Sequence, residues 1–288
     1  MGNKKSSLIQ LHIAVFLFGV SGLFGKFLTQ PSIIIVLGRV FFSSIFLYIG
    51  LTITKENLKL KSRKDMLIIA FMGVILAIHW CTFFQGIKFS TVAIGLLTFS
   101  TFPVFVTFME PFFFEEKLKK EDIILAFITF AGVTFVIPDF HMGNEMTIGV
   151  IYGILSSLSY AVLSLLNRKY VKEYKGVVIA FYEQLVSLAV LLPFFFIMEP
   201  VLTKKDIFLL LLLGTVFTGI THTLFINSLK DIKTQTAGIV SSLEPLYGIL
   251  LSIFLLNEIL SIKEIIGGTI ILGTVFYSTI KNIKNENK

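Results

Sequence analysis

Residues Thr221–Glu258 read THTLFINSLKDIKTQTAGIVSSLEPLYGILLSIFLLNE, and the earlier stretch His79–Glu116 repeats them at a constant offset that sets His79 on Thr221. Without a gap, Phe83 falls on Phe225, Lys88 on Lys230, Ser100 on Ser242, Pro103 on Pro245, Phe112 on Phe254, Glu116 on Glu258 and Leu118 on Leu260. Close replacements, Gln85 with Asn227 and Asp122 with Glu264, extend the match. The offset is about half of the 288 residues, so the chain reads as one structural unit written twice.

Composition names the solvent of that unit. Hydrophobic residues make up 55% and charged residues 15%, with a mean hydropathy of +0.87, against roughly 25% charge in an ordinary soluble domain. This is a membrane chain. Net charge is +7, but the basic residues sit in alternate loops rather than in one patch, which excludes a nucleic-acid surface. Cys81 is the single cysteine, and His12, His79, His141 and His222 show no metal-ligand spacing, so neither a metal nor a cofactor is expected. The opening MGNKKS satisfies a myristoylation pattern by chance, because an apolar helix follows at once and already anchors the chain.

Ten apolar segments are each long enough to cross a hydrocarbon core of about 30 Å: residues 8–28, 32–54, 66–87, 90–114, 121–138, 147–168, 176–198, 206–227, 233–256 and 263–281. Continuous apolar runs exclude a barrel, and the fold class is all-helical. Of the 25 basic residues, Lys26, Lys88, Lys204, Lys205 and Lys263 fall on one side, Arg39 lies within a segment, and the remaining 19 share the side of the termini. That bias puts both termini in the cytoplasm. Five spans per half is an odd number, so the halves, 1–142 and 143–288, enter the membrane from opposite sides. Inverted repeats of this kind place a binding site near the midplane and expose it alternately to each side.

The doubled polar link, the proline in the helix after it and the Glu-x-Leu that closes that helix (Pro103 with Glu116-Lys117-Leu118; Pro245 with Glu258-Ile259-Leu260) resemble the drug/metabolite transporter superfamily in its ten-helix EamA-type branch. The RxxFxS of Arg39–Ser44 is similar to that branch as well. The resemblance spans essentially the whole chain. It implies a secondary carrier of amino acids, other metabolites, quaternary amines or toxic compounds, with a central cavity lined by segments one to four and six to nine.

Ionisable groups deep in a bilayer are costly, at about 2.5–3.5 kcal/mol on insertion scales, so each needs a reason. Glu244 lies about 16 Å into its segment, close to the midplane, and Pro245 after it frees a carbonyl and kinks the helix. A stripe of small residues, Thr234, Gly238, Ser241, Pro245, Gly248 and Ser252, shares one face of that helix and serves either a notch or close packing. Arg39 and Glu183 each sit about 10 Å inside opposite surfaces, a separation suited to a zwitterion lying between them. The bland alternative has Arg39 reaching outward to the interface and Glu183 pairing with Arg168 or Lys172. His79 is level with Arg39. Trp80, Tyr160, Tyr182 and Tyr247 supply aromatic faces for an amine, or else pack. His222 reads as a hydrogen-bonded helix residue.

These residues point to a secondary active transporter of a small polar metabolite, an amino acid or amine, with protonation of Glu244 or Glu183 as a route to proton coupling. A multidrug or toxic-compound exporter of the same family is the alternative. An embedded enzyme would need a dense cluster of Asp, His or metal ligands, and an ATP-driven pump a GxxxxGK[ST] loop; neither occurs. The expected partners are the substrate, the lipid bilayer and a coupling proton, with monomer and homodimer left open. The short loops and the Lys- and Ile-rich composition suggest a bacterial inner membrane.

Overall fold

The computed structural model describes the chain except residues 1, 115–117, 119, 137–142, 233–236, 238–239, 242 and 287–288, and describes no side chains at 2–4, 122 and 278–286. Of the residues named above, Glu116, Lys117, His141, Thr234, Gly238 and Ser242 lie outside the described residues. Every regular element described is helical. Lipid offers no hydrogen bonds, so an apolar run satisfies its backbone by coiling on itself. Seven helical stretches are long and apolar enough to cross a membrane: Lys5–Phe27, Ser32–Ile53, Arg63–Phe89, Val92–Phe113, Glu145–Tyr170, Gly176–Met198 and Lys204–Ser228. Shorter apolar helices cover Ile123–Val136 and Glu244–Leu256.

The elements are α1 (Gly2–Gly22), α2 (Phe24–Phe27), α3 (Ser32–Ile53), α4 (Arg63–Phe89), α5 (Val92–Phe99), α6 (Phe102–Phe113) and α7 (Lys120–Val136) in the first half. The second holds α8 (Glu145–Tyr170), α9 (Gly176–Met198), α10 (Lys204–Gly214), a π-helical segment (Thr215–Ile220), α11 (Thr221–Ser228), α12 (Glu244–Leu256) and α13 (Ile262–Glu286).

Pro245 acts differently from the kink expected of it, and Pro103 acts in the same way. Residues 90–114 form two helices. At Ser100–Thr101 the bonds tighten to three-residue spacing, with Thr101 N donating to Thr98 O (3.2 Å) and Val104 N to Thr101 O (3.0 Å), and Pro103 sits in the first turn of α6. In the second half Leu243 N donates to Val240 O (3.0 Å), and Pro245 sits in the first turn of α12, which begins at Glu244. A proline has no N–H to lose in a first turn, so restarting the helix there is cheaper than keeping proline inside it. The segment at 206–227 is also modified: Thr218 and Thr221 hydroxyls donate five residues back, to Leu213 O (2.7 Å) and Val216 O (2.8 Å), which widens the turn into a π-helix.

Packing follows the sequence repeat. α4 runs along α8, while α11, the counterpart of the second half of α4, runs along α1, the counterpart of α8. In the same way α6 meets α8 and α12 meets α1; α3 pairs with its counterpart α9, and α7 with its counterpart α13. Exchanging the halves leaves this set of contacts unchanged, the pattern a two-fold relation between them produces. Glycine permits the closest crossings. A Cβ on Gly248 would lie 2.9 Å from Gly19 O, and one on Gly19 2.8 Å from Glu244 O, so within the small-residue stripe Gly248 is a packing residue.

Candidate functional site

Glu244, at the start of α12, lines a cavity at the meeting of the halves, and the π-helical segment reaches the same cavity through the bond of Thr218 to Arg39. Its polar lining is Arg39 from α3, His79 from α4, His222 from α11, Glu244 from α12 and Ser21 from α1. Its walls are the rings of Phe18, Trp80, Phe83, Phe99 and Tyr160. The free space is about 20 Å³, room for roughly one water molecule, so in this conformation the lining side chains fill the cavity.

Arg39 is buried, 1% exposed, and does not reach the interface. Its Nε donates to Thr218 Oγ1 (2.9 Å), the hydroxyl presented by the π-helical segment. The guanidinium lies 3.8 Å from the centroid of the Trp80 ring and 5.4 Å from that of Phe84. Cation–π attraction, about 2 kcal/mol or more when desolvated, offsets part of the burial cost. Nη2 makes no hydrogen bond. A buried guanidinium nitrogen without an acceptor in a cavity is a place for a carboxylate or another anion.

Glu244 is buried at the first turn of α12, where unpaired backbone N–H groups and the helix dipole favour a negative charge. Its counterpart in the first half is Phe102, so only the second half carries an acid at this break. His79 is held by Ser156, with Nδ1 2.8 Å from Ser156 Oγ and 3.1 Å from Ser156 O, and its ring centroid is 4.8 Å from that of Tyr160.

Glu183 stands one residue behind the cavity wall. His222 Nε2 is 2.7 Å from Glu183 Oε2, with both side chains buried, and Glu183 Oε1 has no partner. Arg168, the partner considered for it from sequence, pairs with Glu110 instead. The His222 ring meets Trp80 edge-on at 5.7 Å. The repeat that sets His79 on Thr221 sets Trp80 on His222, so equivalent positions of the two halves touch at the centre of the molecule. No ion pair joins Arg39 to Glu183 among the described residues; Trp80 and His222 lie between them.

Five of the expected residues, Arg39, His79, Trp80, Tyr160 and Glu244, therefore share one cavity, and Glu183 reaches it through His222. Two do not. Tyr182 donates its hydroxyl to Leu58 O (2.8 Å), which draws it to the connection between α3 and α4, and Tyr247 packs edge-on against the exposed Phe16 at 5.4 Å. The expected aromatic face of Trp80 is covered in this conformation by the protein's own cation, Arg39. His222 is the hydrogen-bonded helix residue expected, but sequence reasoning missed its place in the cavity, together with Thr218 and the phenylalanines. His222 was within reach, because the repeat sets it on Trp80; Thr218 was not, because only the π-helical turn brings it to Arg39.

Connections close both ends of the bundle. At one end Lys26 Nζ donates to Ser90 O (2.6 Å), Lys88 Nζ to Leu28 O (2.9 Å), and Val92 N to Glu258 Oε1 (3.0 Å) across the halves. At the other, Lys61 pairs with Glu173 (2.5 Å), Lys175 with Glu56 (2.7 Å), and Tyr174 donates to Asp65 (2.7 Å). The hydrogen bond to Glu173 raises the Lys61 pKa, and burial followed by the bond to Asp65 raises that of Tyr174. A second cavity of about 330 Å³ between α3, α9 and α10 has only apolar lining and cannot orient a polar ligand.

A family model, the EamA-like transporter family, matches twice, over residues 5–137 and 147–280. An uncharacterized transporter of Bacillus subtilis, YxxF, is 26% identical over 253 residues, 86% of this chain and 81% of the relative. An S-adenosylmethionine uptake transporter of Rickettsia conorii is 21% identical over 250 residues, 87% of this chain and 83% of the relative. One crystal structure superposes with a TM-score of 0.70 at 15% identity, covering 98% of this chain and 99% of the other, a likeness of fold. The protein is an integral membrane protein, of the inner membrane as its bacterial relatives imply. Matched in both halves, the chain belongs to the EamA-like transporter family.

Proposed function

We propose that this transporter is a secondary carrier of a small zwitterionic or cationic metabolite, an amino acid or an amine, bound in the central cavity. The observation that carries this reading is the pairing of an unsatisfied Arg39 Nη2 with the Glu244 carboxylate in one aromatic-walled cavity. A ligand carboxylate replaces the missing acceptor on Arg39, and a ligand amine lies toward Glu244. His79, Tyr160 and Trp80 form the walls, with Trp80 contacting the ligand only once Arg39 turns from its ring toward the incoming carboxylate. The Rickettsia relative is named for S-adenosylmethionine, which carries an amino-acid head and a sulfonium cation, and this chemistry agrees with the same charge pattern.

In this reading the halves 1–142 and 143–288 form an inverted ten-helix pair with both termini cytoplasmic, and they rock about the Trp80–His222 contact. The inter-half links at either end open alternately, and Glu244 or Glu183 carries a coupling proton. Labelling of single cysteines placed at either end, in a background without Cys81, reports the orientation; accessibility of terminal positions from outside the cell refutes it.

The ligand class is tested by thermal stabilisation of the purified protein against amino acids, polyamines, choline-like amines, nucleosides and S-adenosylmethionine, repeated with Glu244→Gln. Binding to the folded state raises the melting temperature by mass action. A zwitterion or amine that stabilises the wild type and loses its effect in the variant supports the reading. A response confined to apolar drugs moves it to the exporter alternative.

A further inference from the structure

The 330 Å³ cavity lies outside the central site. It is walled by Leu37, Gly38 and Phe41 of α3, Leu192 and Phe195 of α9, and Ile207 of α10 among others, and no polar atom lines it. Its size falls at the lower end of the roughly 300–1,000 Å³ typical of small-molecule pockets. Phe41 (44% exposed), Leu192 (45%) and Ile207 (46%) form its open side. In a chain that spans a membrane that side faces hydrocarbon, and Pro193, within α9 beside Leu192, interrupts the helix ladder along this wall.

Charge at one end identifies the occupant. Leu202 and Ile207 line the cavity, and between them Lys204 and Lys205 are exposed on the first turn of α10. The acid of that turn, Asp206, is buried; its carboxylate accepts from Thr203 N (3.0 Å), Thr203 Oγ1 (2.8 Å) and Gln30 Nε2 (3.4 Å). Glu199, which ends α9, is the exposed acid of the same connection. Two exposed lysines on the first turn of α10, between Leu202 and Ile207 of the apolar slot, match a phosphate headgroup beside a hydrocarbon chain.

We infer that this cavity is a binding site for one acyl chain of an anionic glycerophospholipid whose phosphate rests on Lys204 and Lys205. The chain would fill the space between α3 of one half and α9 and α10 of the other. Gly38 lies in the wall one residue before Arg39, and a Cβ there would meet Leu210 Cδ1 at 2.7 Å, so α3 and α10 are already in close contact beside the slot. A lipid seated there would brace this α3–α10 contact beside Arg39.

The test uses purified, delipidated full-length protein in detergent, with melting followed by circular dichroism. Phosphatidylglycerol and phosphatidylcholine of identical acyl chains are added in turn, with glycerol 3-phosphate as the chainless control. Phosphatidylglycerol is expected to raise the melting temperature by several degrees more than phosphatidylcholine. Lys204→Gln/Lys205→Gln removes that difference, and Ile207→Trp, which fills the slot, reduces the response to both lipids. Should Ile207→Trp fail to fold, Phe41→Trp takes its place. Equal responses to both lipids in the wild type overturn the inference. So does a full phosphatidylglycerol response in the filled variant, and so does glycerol 3-phosphate matching the lipid, which leaves an anion site without a chain. None of these outcomes depends on the identity of the transported ligand.

Discussion

Thr218 is the side chain through which the π-helical segment holds Arg39. Its hydroxyl accepts from Arg39 Nε at 2.9 Å and donates to Leu213 O at 2.7 Å, so both of its hydrogen-bonding roles are in use. Thr218→Val keeps the shape and removes both bonds. The guanidinium, already lacking a partner at Nη2, would then lose its Nε bond as well and keep its ring contacts. A hydrogen bond to a charged group contributes about 1.5–3 kcal/mol. At about 2–4 °C per kcal/mol for chains of roughly this size, the melting temperature of the purified protein should fall by on the order of 3–12 °C. Thr218→Ser is the control. It retains the hydroxyl and loses one methyl, about 1 kcal/mol, so Val should melt clearly below Ser even though Val is the more apolar residue. Emission from Trp80, the sole tryptophan and the ring beneath Arg39, should change in the Val variant and not in the Ser variant. A Val variant that melts at or above the Ser variant with unchanged emission would refute the role given to the π-helical turn.

Two further predictions address packing and the extent of the site. A Cβ on Gly153 would sit 1.9 Å from Thr98 Oγ1, so Gly153→Ala should destabilise the fold by about 1–3 kcal/mol in thermal melts, and Thr98→Ala in the same chain should recover part of it; a neutral single variant would mean that α5 and α8 are not this close. Tyr182→Phe should cost about 1 kcal/mol by losing its bond to Leu58 O, and Tyr247→Phe less, while both leave stabilisation by any cavity ligand unchanged; loss of that response in either variant would extend the site beyond the walls described here.

Much of the molecule is legible in the chain because the bilayer constrains it so strongly. Continuous apolar runs have one inexpensive conformation in lipid, and the constant offset of the repeat pairs α4 with α10–α11 and α6 with α12 before any coordinate is known. Glu244, Arg39 and Glu183 stand out for the same reason, as charges where charge is costly. Their partners do not stand out. That Glu183 meets His222 rather than Arg168, and that Trp80 carries Arg39 instead of an open face, depends on which sides of four helices turn toward one another. Helical periodicity gives little help there, because helices apolar on every side carry almost no record of the inward face.

The sequence by itself therefore determined the all-helical membrane class, the doubled unit and the rare deep charges, since each follows from local composition weighed against the cost of exposing polar groups to lipid. Only the tertiary structure decided that both prolines restart helices, that a π-helical turn offers Thr218 to Arg39, and that Tyr182 and Tyr247 stand outside the cavity. Those outcomes rest on packing between segments far apart in the chain, where differences of a few ångströms in register choose the neighbour.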